Sequence, residues 1–217
     1  MTDRVKIMIA DDHPIFRQGI IKIVEQDPLY DIVDQCGDGA ELLEKMNILK
    51  PAIVIMDISM PEKSGLEVLQ EIQKKKLRTD FIILTMYKDE EYFNEAMNLG
   101  AKGYLLKDNA SKDLLQCLRA VSKGNHFICP ELSHLLLDRR SRVHSLEHST
   151  PGLAELTSTE RKILKLIAQN KTSKEISEEL YISIRTVQNH RTHIAQKMGL
   201  KGHHKLLQFA IENKAYL

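Results

Sequence analysis

Hydrophobic and polar residues alternate in two patterns along the first part of the chain. Short apolar runs bounded by polar or turn-forming residues predict five strands, at residues 5–10, 30–36, 52–56, 81–86 and 103–106. After each run, apolar residues recur three and four positions apart, which predicts an amphipathic helix. Strands that alternate with helices form a parallel sheet covered on both faces, so we expect a doubly wound α/β domain over residues 1–127.

The pattern changes after residue 127. Residues 128–153 contain the segment PELSHLLLDRR, which predicts a short helix, and then a stretch rich in Ser, His, Pro and Gly. That composition is typical of a linker. Residues 154–217 are poor in strand-like runs and predict an all-α domain of four helices. The order of these segments predicts two domains joined by a linker.

Helix boundaries in the second domain carry recognisable signals. Thr157 followed by Glu160 predicts a capping box for the first helix, and Ser173 is the expected N-cap of the second. Gly199 is expected to end the third helix, and a fourth is predicted from about residue 203 to 213. The second and third helices are joined by the tight segment YIS, which is typical of a helix-turn-helix unit.

Composition adds a charge asymmetry to this picture. The 42% hydrophobic and 28% charged residues are an ordinary balance for a soluble globular protein. Residues 151–217 hold 11 Lys and Arg against 6 Asp and Glu, a net +5, whereas residues 1–150 hold 20 against 24, a net −4. A basic second domain favours a polyanionic partner.

Two functional classes are disfavoured by composition. No apolar run approaches the roughly 20 residues that a membrane span needs, and the charged start MTDRVKIMIADDH does not resemble a signal peptide. The cysteines Cys36, Cys117 and Cys129 lie far apart, which indicates free thiols rather than a metal site. We therefore expect a cytoplasmic protein with no membrane partner.

Four predicted strands have polar residues at their carboxyl ends. Asp11 and Asp12 follow the first strand, Asp57 the third, Thr85 lies at the end of the fourth, and Lys107 follows the fifth. In a flavodoxin-like sheet of order 2-1-3-4-5, strands one and three are neighbours, so the three carboxylates would converge. Each residue alone is typical of a turn, a strand or the surface, but together they indicate a site. Converging carboxylates need a cation, and hard oxygen ligands suit Mg²⁺.

The motifs IADDHPIFRQG, PAIVIMDISMP, ILTMYKDEE and GAKGYLLKD resemble the receiver domain of two-component response regulators. The segment from LTSTERKILKLIAQNK to THIAQKMG resembles a LuxR-type DNA-binding domain, so the whole chain is similar to a NarL/FixJ-type regulator. The resemblance implies a sensor histidine kinase as the partner that phosphorylates Asp57. It also implies that Asp12, Asp57 and the backbone carbonyl of Ser59 hold Mg²⁺, with Asp11 acting mainly through water.

The resemblance assigns roles to three further residues of the receiver domain. Lys107 would pair with phosphoryl oxygens, Thr85 would move to hydrogen-bond one of them, and Tyr104 would rotate inward as the switch aromatic. A half-exposed strand tyrosine is the alternative interpretation of Tyr104. Many receivers have Pro after the lysine, whereas this chain has Asp108, which leaves the geometry of that loop open.

The third helix of the second domain, at about residues 184–198, is expected to enter a major groove. Val187, Ile194 and Met198 form its apolar side. The candidate DNA contacts come from the polar side of this helix and from the preceding helix: Lys174, Arg185, Thr186, Gln188, Asn189, His190, Arg191 and Thr192. Gln and Asn match the major-groove edge of adenine, whereas charged residues contact phosphate or guanine. The family usually has Lys where this chain has Gln188, and this departure removes the basis for carrying over a guanine preference from the family.

These features predict a transcriptional regulator that accepts a phosphoryl group but is not an enzyme. A single helix-turn-helix module buries only about 600–1,000 Å² on DNA, so we expect phosphorylation to promote a homodimer on paired half-sites. One alternative is an adaptor that binds proteins independently of phosphorylation. Another is a phosphatase of the haloacid dehalogenase type, but Ser59 stands where that class places its general acid.

Overall fold

The computed structural model describes residues 4–75, 78–201 and 204–217. The chain divides into two compact units between Leu135 and Leu136. Each unit has its own cluster of buried apolar side chains. The architecture of each is given separately below.

The first unit is built on a parallel sheet whose first five strands follow the predicted runs to within one residue. The strands are β1 (Val5–Ala10), β2 (Tyr30–Cys36), β3 (Ile53–Met56), β4 (Asp80–Thr85), β5 (Gly103–Leu106) and β6 (Phe127–Ile128). Their order is β2-β1-β3-β4-β5-β6, and all neighbouring pairs are parallel. The flavodoxin-like order predicted for the first five strands is confirmed.

Five helices accompany these strands. They are α1 (Pro14–Val24), α2 (Gly39–Leu49), α3 (Gly65–Lys75), α4 (Glu90–Asn98) and α5 (Ala110–Ser122). Pro14 occupies the first turn of α1, where its missing N–H costs no hydrogen bond. Asp38 caps α2 by accepting a hydrogen bond from the backbone N–H of Glu41 at 2.7 Å. The helices therefore begin at residues whose chemistry suits a helix N-terminus.

The central strand β3 explains why polar groups gather at one edge of the sheet. All four of its residues are buried, as expected for a strand covered by helices on both faces. Burial of each such aliphatic side chain stabilises the fold by about 1.5–3 kcal/mol. Regular pairing stops at Met56, and the next residue, Asp57, is buried at the carboxyl edge. The hydrophobic run thus positions a carboxylate at the end of a rigid element.

A sixth strand corrects the expected five. The chain turns at Gly124, which has φ +81°, and returns along the edge of β5. The N–H of Phe127 donates to Lys102 O at 2.8 Å, and the N–H of Cys129 donates to Tyr104 O at 3.1 Å. Because only two residues of β6 pair with β5, the sequence shows no periodicity that could have revealed this strand.

The segment 128–153 is more ordered than a linker of its composition suggests. Cys129, Leu132 and Leu135 belong to the buried cluster of the first unit. Most of the remainder forms the helices α6 (Ser133–Ser149) and α7 (Pro151–Ala154). The predicted short helix is therefore longer than PELSHLLLDRR, and the stretch expected to be irregular is largely helical. The limits 1–127, 128–153 and 154–217 remain a proposed division by function.

The second unit contains the four helices predicted over residues 154–217. They are α8 (Ser158–Ala168), α9 (Ser173–Leu180), α10 (Ile184–Lys197) and α11 (Lys205–Glu212). The capping box of Thr157 and Glu160 is confirmed. The predicted start of the fourth helix at residue 203 lies outside the described residues. Met198, Leu206 and Ala210 are among the side chains that form the buried cluster.

The expected N-cap of α9 was wrong by one residue. Thr172 is the N-cap, and its hydroxyl accepts from the backbone N–H of Glu175, whose carboxylate accepts from the N–H of Thr172. Ser173 is instead the first residue of the helix. The reciprocal pair is three residues apart, so the capping-box rule selects Thr172 over Ser173.

Among the described residues, none of the helices combines the length and the apolar character that crossing a bilayer requires.

Candidate functional site

The carboxyl edge of the first unit's sheet brings three of the predicted residues into direct contact. Ala10 pairs with Met56, so Asp11 and Asp57 follow directly after partners on neighbouring strands. The Nζ atom of Lys107 lies 2.8 Å from Asp11 Oδ2 and 2.8 Å from Asp57 Oδ2. One ammonium therefore bridges two carboxylates at the end of the sheet.

This bridge is almost fully buried, and burial controls its electrostatics. The side chains of Asp11, Asp57 and Lys107 are 3%, 5% and 7% exposed. Burial raises the pKa of Asp57, Lys107 lowers it and the neighbouring Asp11 raises it again, with a net increase. Burial also acts to lower the pKa of Lys107, but its hydrogen bonds and charge interactions with the two aspartates outweigh that effect and raise it. The pKa of Asp57 is thus raised mainly because burial disfavours its charged form by more than the contact with Lys107 favours it.

The donor set fits a hard divalent cation. Asp11, Asp12, His13 and Asp57 offer ligand atoms that lie within 4.8 Å of one another. Oδ1 of Asp12 is buried and has no hydrogen-bond partner in the part of the chain that the structure describes. His13 Nδ1 lies 2.6 Å from that oxygen, a contact that is an ion pair only when the imidazole is protonated. A buried carboxylate oxygen that accepts no hydrogen bond from the described residues, beside two other carboxylates, suits a Mg²⁺ ligand set.

Thr85 and Tyr104 lie beside this site and are connected through one backbone segment. Both side chains are fully buried. The hydroxyl of Thr85 accepts from the N–H of Tyr87 at 3.2 Å, and the hydroxyl of Tyr104 donates to the carbonyl of Tyr87 at 3.4 Å. The interpretation of Tyr104 as a half-exposed strand residue is therefore wrong, because its ring packs edge-on against Phe93 inside the unit.

Ser59 faces the same segment through its side chain. Its Oγ lies 3.0 Å from the hydroxyl of Tyr87, whose ring stacks on Tyr92. Ser59 is exposed, and its backbone carbonyl remains a predicted metal ligand. The loop after Lys107 forms a single 3₁₀ turn, Lys107–Asn109, with Asp108 exposed. This turn is the geometry that accompanies Asp108 in place of the proline of many receivers.

Helix α1 and its N-cap residue His13 supply further contacts around the site. The ring centroid of Phe16 lies 4.9 Å from Lys107 Nζ. The guanidinium of Arg17 donates to the carbonyl oxygen of Asp11 and to Gln35 Oε1. The N–H of His13 donates to Asp11 Oδ1 at 2.9 Å. His13, Phe16 and Arg17 lie in the motif IADDHPIFRQG, so their closeness to Asp11 in the sequence could have indicated that they contact the site.

The second unit presents the other predicted site on α10. Arg185, Gln188, Asn189 and Thr192 are exposed, as is Lys174 on α9, whereas Thr186, His190 and Arg191 are half-buried. The helix begins at Ser183, whose hydroxyl accepts from the N–H of Thr186. Val187 and Ile194, on the other side of the same helix, are fully buried. The expected apolar and polar sides of this helix are therefore present.

Arg191 was placed on the wrong side of α10. It lies four residues after Val187 and three before Ile194, so at helical spacing it flanks the buried stripe rather than opposing it. Burial lowers its pKa, in agreement with its half-buried position. Thr192 is exposed, but its hydroxyl donates to the carbonyl of Gln188 at 3.1 Å. Gln188, Asn189 and Arg185 are left as the exposed side chains most able to reach a partner.

The burial of His190, also on this helix, was not predicted from the sequence. This residue is half-buried, and its Nδ1 atom has no hydrogen-bond partner among the described residues. Its predicted contact with a DNA phosphate remains a prediction.

A doubly wound sheet with a buried aspartate and a lysine at its carboxyl edge, followed by a helix-turn-helix unit, defines a class of protein: DNA-binding regulators with a receiver domain. The family models agree with both parts. Residues 7–119 match the response regulator receiver domain, and residues 154–210 match the bacterial regulatory proteins of the luxR family. The chain belongs to the response regulators that carry a LuxR-type DNA-binding domain.

Similar proteins span the whole chain. The oxygen regulatory protein NreC of Staphylococcus carnosus (strain TM300) is 36% identical over 213 residues, which cover 97% of this chain and 98% of that protein. A solved structure of the Salmonella typhimurium RcsB response regulator is 28% identical, with a TM-score of 0.60 over 95% of this chain and 98% of that one. An RcsB–DNA complex is 28% identical, with a TM-score of 0.59 and the same coverage of both chains.

Proposed function

We propose that Asp57 accepts a phosphoryl group from a sensor histidine kinase and that this modification controls dimerisation and promoter binding by the second domain. The observation that carries the proposal is the Lys107 ammonium held 2.8 Å from both Asp11 and Asp57. A buried carboxylate beside a fixed cation and a second carboxylate is suited to phosphoryl transfer, in which catalysis consists of positioning and charge stabilisation.

One bond forms and one bond breaks during the proposed transfer. An oxygen of the Asp57 carboxylate forms a bond to phosphorus, the bond from phosphorus to the phosphodonor breaks, and the donor leaves with the bonding electron pair. Lys107 is placed to exchange its contact with Asp57 for one with a phosphoryl oxygen while it keeps Asp11. No proton has to be supplied by the receiver domain when the leaving group is acetate.

The acidic cluster supports Mg²⁺ as the cation of this site. We assign Asp12 and Asp57 as carboxylate ligands and Ser59 as a ligand through its backbone carbonyl, with Asp11 acting mainly through water. When bound, the ion would neutralise charge between the carboxylates and the incoming phosphoryl group. The unpartnered Oδ1 of Asp12 is the structural feature that favours this assignment.

The contacts of Tyr87 support a route from the phosphorylated site to the surface. Thr85 and Tyr104 each hold the backbone of this residue through one hydrogen bond. If Thr85 turns its hydroxyl toward a phosphoryl oxygen, it releases the N–H of Tyr87, and the segment before α4 is free to move. We propose this exchange of hydrogen bonds as the switch, with Tyr104 following the displaced backbone.

The exposed side chains of α10 support DNA as the partner of the second domain. Arg185, Gln188 and Asn189 offer a cation and two amides, the groups that bind phosphates and base edges in the major groove. One module alone buries about 600–1,000 Å² on DNA, so we propose that two copies bind paired half-sites about one helical turn apart. The proposed location is the cytoplasm, where promoter DNA and kinase domains are accessible.

Turnover of external substrates is not part of this proposal. The residue two positions after Asp57 is Ser59, whose hydroxyl contacts Tyr87 and is no substitute for a carboxylic acid as a proton donor to a leaving group. The protein is therefore proposed to be modified on its own side chain rather than to act as a phosphatase.

The test is phosphorylation of the full-length chain by acetyl phosphate with Mg²⁺, measured by intact mass. We expect the wild-type protein to gain one phosphate and Asp57→Asn to gain none. Asp12→Ala should lose the labelling that depends on the metal while its far-ultraviolet circular dichroism stays unchanged. Phosphate on the Asp57→Asn protein would show that the acceptor is another residue.

The same preparations test the proposed dimer. With beryllofluoride, a phosphoryl mimic, sedimentation should show a shift of the wild-type protein toward a dimer, and Asp57→Asn should show none. A wild-type protein that remains a monomer both alone and on its operator would exclude the proposed control by dimerisation.

A further inference from the structure

Besides its packing in the apolar core, Phe16 makes a cation–π contact with Lys107 in the receiver site. Its ring centroid lies 4.9 Å from the ammonium nitrogen of Lys107, inside the range of about 6 Å over which a cation is attracted to a ring face. Phe16 is half-buried and packs against the apolar cluster of the first unit. The aromatic ring is thus held by the core on a helix that begins beside the acidic site.

The surroundings of Lys107 make this contact significant. An ammonium carries three N–H donors, and the polar contacts of Lys107 with the described residues are those with Asp11 and Asp57. With its side chain only 7% exposed, water does little to stabilise the charge. A ring face attracts a cation most strongly where the cation is desolvated. The aromatic ring is therefore an additional source of stabilisation for a charge that the protein has removed from water.

We infer that Phe16 is a positioning residue for phosphorylation, acting through a cation–π contact with Lys107. This inference rests on the proposed function and extends it by one residue. During transfer, Lys107 exchanges one of its anionic partners, because negative charge moves from the Asp57 carboxylate to the phosphoryl oxygens. The Phe16 ring does not take part in that exchange, so it keeps the ammonium in place while its other contacts change.

Two substitutions separate the electrostatic role of the Phe16 ring from its volume. Phe16→Leu keeps an apolar side chain at this position but removes the negative ring face. Labelling by acetyl phosphate should become between about five- and thirty-fold slower, the range from an exposed to a desolvated cation–π contact. Phe16→Tyr keeps an aromatic face and should recover most of the wild-type rate.

The decisive experiment replaces Phe16 site-specifically with 4-fluoro-, 3,5-difluoro- and 3,4,5-trifluorophenylalanine in the full-length protein. Each added fluorine weakens the attraction of the ring face for a cation and changes the side-chain volume little. The initial rate of labelling by acetyl phosphate with Mg²⁺ is measured by intact mass. We expect the rate to fall stepwise along the series. The small-molecule donor is used because it does not require docking of a kinase.

Phe81 is the matched control. It is 3% exposed near the beginning of β4, the end of that strand opposite Thr85, and within the described ranges no cation lies over its ring. The same fluorinated series at Phe81 should leave the labelling rate unchanged. Equal losses at both positions, or a flat series at Phe16, would show that the ring acts only through packing and would overturn the inference.

Failure of the proposed function has a different signature. If the Asp57→Asn protein still gained a phosphate, the acceptor would be misassigned and the role of Phe16 would fall with it. A flat Phe16 series combined with labelling that depends on Asp57 overturns only the cation–π inference.

Discussion

Each domain of this response regulator contains a lysine paired with a buried carboxylate, and the two pairs have opposite electrostatic character. In the receiver domain, Lys107 contacts Asp57 at 2.8 Å, yet the pKa of Asp57 is raised because burial outweighs the lysine. In the DNA-binding domain, Lys197 contacts Glu160 at 2.7 Å, and this hydrogen bond lowers the pKa of Glu160 to about 2 despite burial. Similar distances therefore produce opposite shifts.

The surroundings of the two pairs explain the difference. Lys197 is 33% exposed and remains partly hydrated, and Glu160 also accepts hydrogen bonds from Thr157 in a capping box. Lys107 is 7% exposed and is shared between two carboxylates. A satisfied carboxylate stabilises a fold, whereas a carboxylate crowded by another negative group is poised to bind a cation or react. The comparison predicts that one pair serves structure and the other serves phosphorylation.

The largest expected effect comes from removing each lysine in turn. Lys107→Met should slow labelling by acetyl phosphate by roughly 10²–10³-fold, the usual cost of losing one group that stabilises developing charge. Lys197→Met should leave that rate unchanged and instead lower the stability of the DNA-binding domain. The measurements are intact-mass labelling and calorimetry of the full-length protein. Equal labelling rates in the two variants would contradict the assignment of Lys107.

Glu160 provides the next effect, and it depends on pH. Its folded-state pKa lies below its ordinary value, so the carboxylate contributes stability above pH 4.5 that is lost as the pH falls toward about 2. The full contribution is smaller than the roughly 3 kcal/mol that the shift alone would give, because the exposed part of Lys197 is screened by solvent. Glu160→Gln should therefore destabilise the second domain near neutral pH and become almost neutral near pH 2. Calorimetric scans between these values, with hydrogen exchange in α8 to identify the transition, measure the difference.

The exposed Glu178 on α9 is the control for that prediction, because Glu178→Gln changes the same net charge at the surface. By contrast, Asp57→Asn should cost little stability or increase it, since it removes a carboxylate whose charged form is disfavoured in the fold. A loss for Asp57→Asn as large as that for Glu160→Gln would mean that the two pairs do not differ as proposed.

Smaller effects are expected from the exposed polar groups of α10, which contrast with both buried pairs. Gln188→Ala or Asn189→Ala should cost about 1–3 kcal/mol at one position of the DNA site and relax the base preference there. Lys174→Ala, on α9, should weaken binding to all sequences alike and reduce the salt slope by about one. Base preference is measured by binding-site selection for each variant, and the salt slope is measured from affinities at several salt concentrations.

Arg191 tests the corrected orientation of α10. Because it is half-buried beside Val187, Arg191→Ala should lower stability as well as DNA affinity, whereas Lys174→Ala should lower affinity alone. Unchanged base preference in the Gln188 and Asn189 variants, with altered preference in Arg191→Ala, would show that the helix is rotated on DNA relative to this proposal.

The local pattern was sufficient to predict the alternation of strands and helices, the helical second domain and the polar residues that follow the strands. The run IVIM before Asp57 is informative because a buried parallel strand must be apolar on both faces and its polar neighbours can only follow its end. Thr157 and Glu160 were equally readable, since a capping box is a contact between residues three apart. The errors at Ser173 and Arg191 also concern local geometry, and helical spacing alone would have corrected them.

The tertiary structure decided what depends on contacts between distant segments. Lys107 and Asp57 are fifty residues apart, and their bridge exists only because β1, β3 and β5 end at one edge. Three other features also depend on contacts between distant segments. They are the pairing of β6 with β5, the hydrogen bond from Tyr104 to the carbonyl of Tyr87, and the contact of the Phe16 ring with Lys107. A sequence specifies which groups can ionise or stack, but the sign of a pKa shift depends on the burial and the neighbours that folding provides. That is why two lysine–carboxylate pairs that look alike in chemistry differ in this protein.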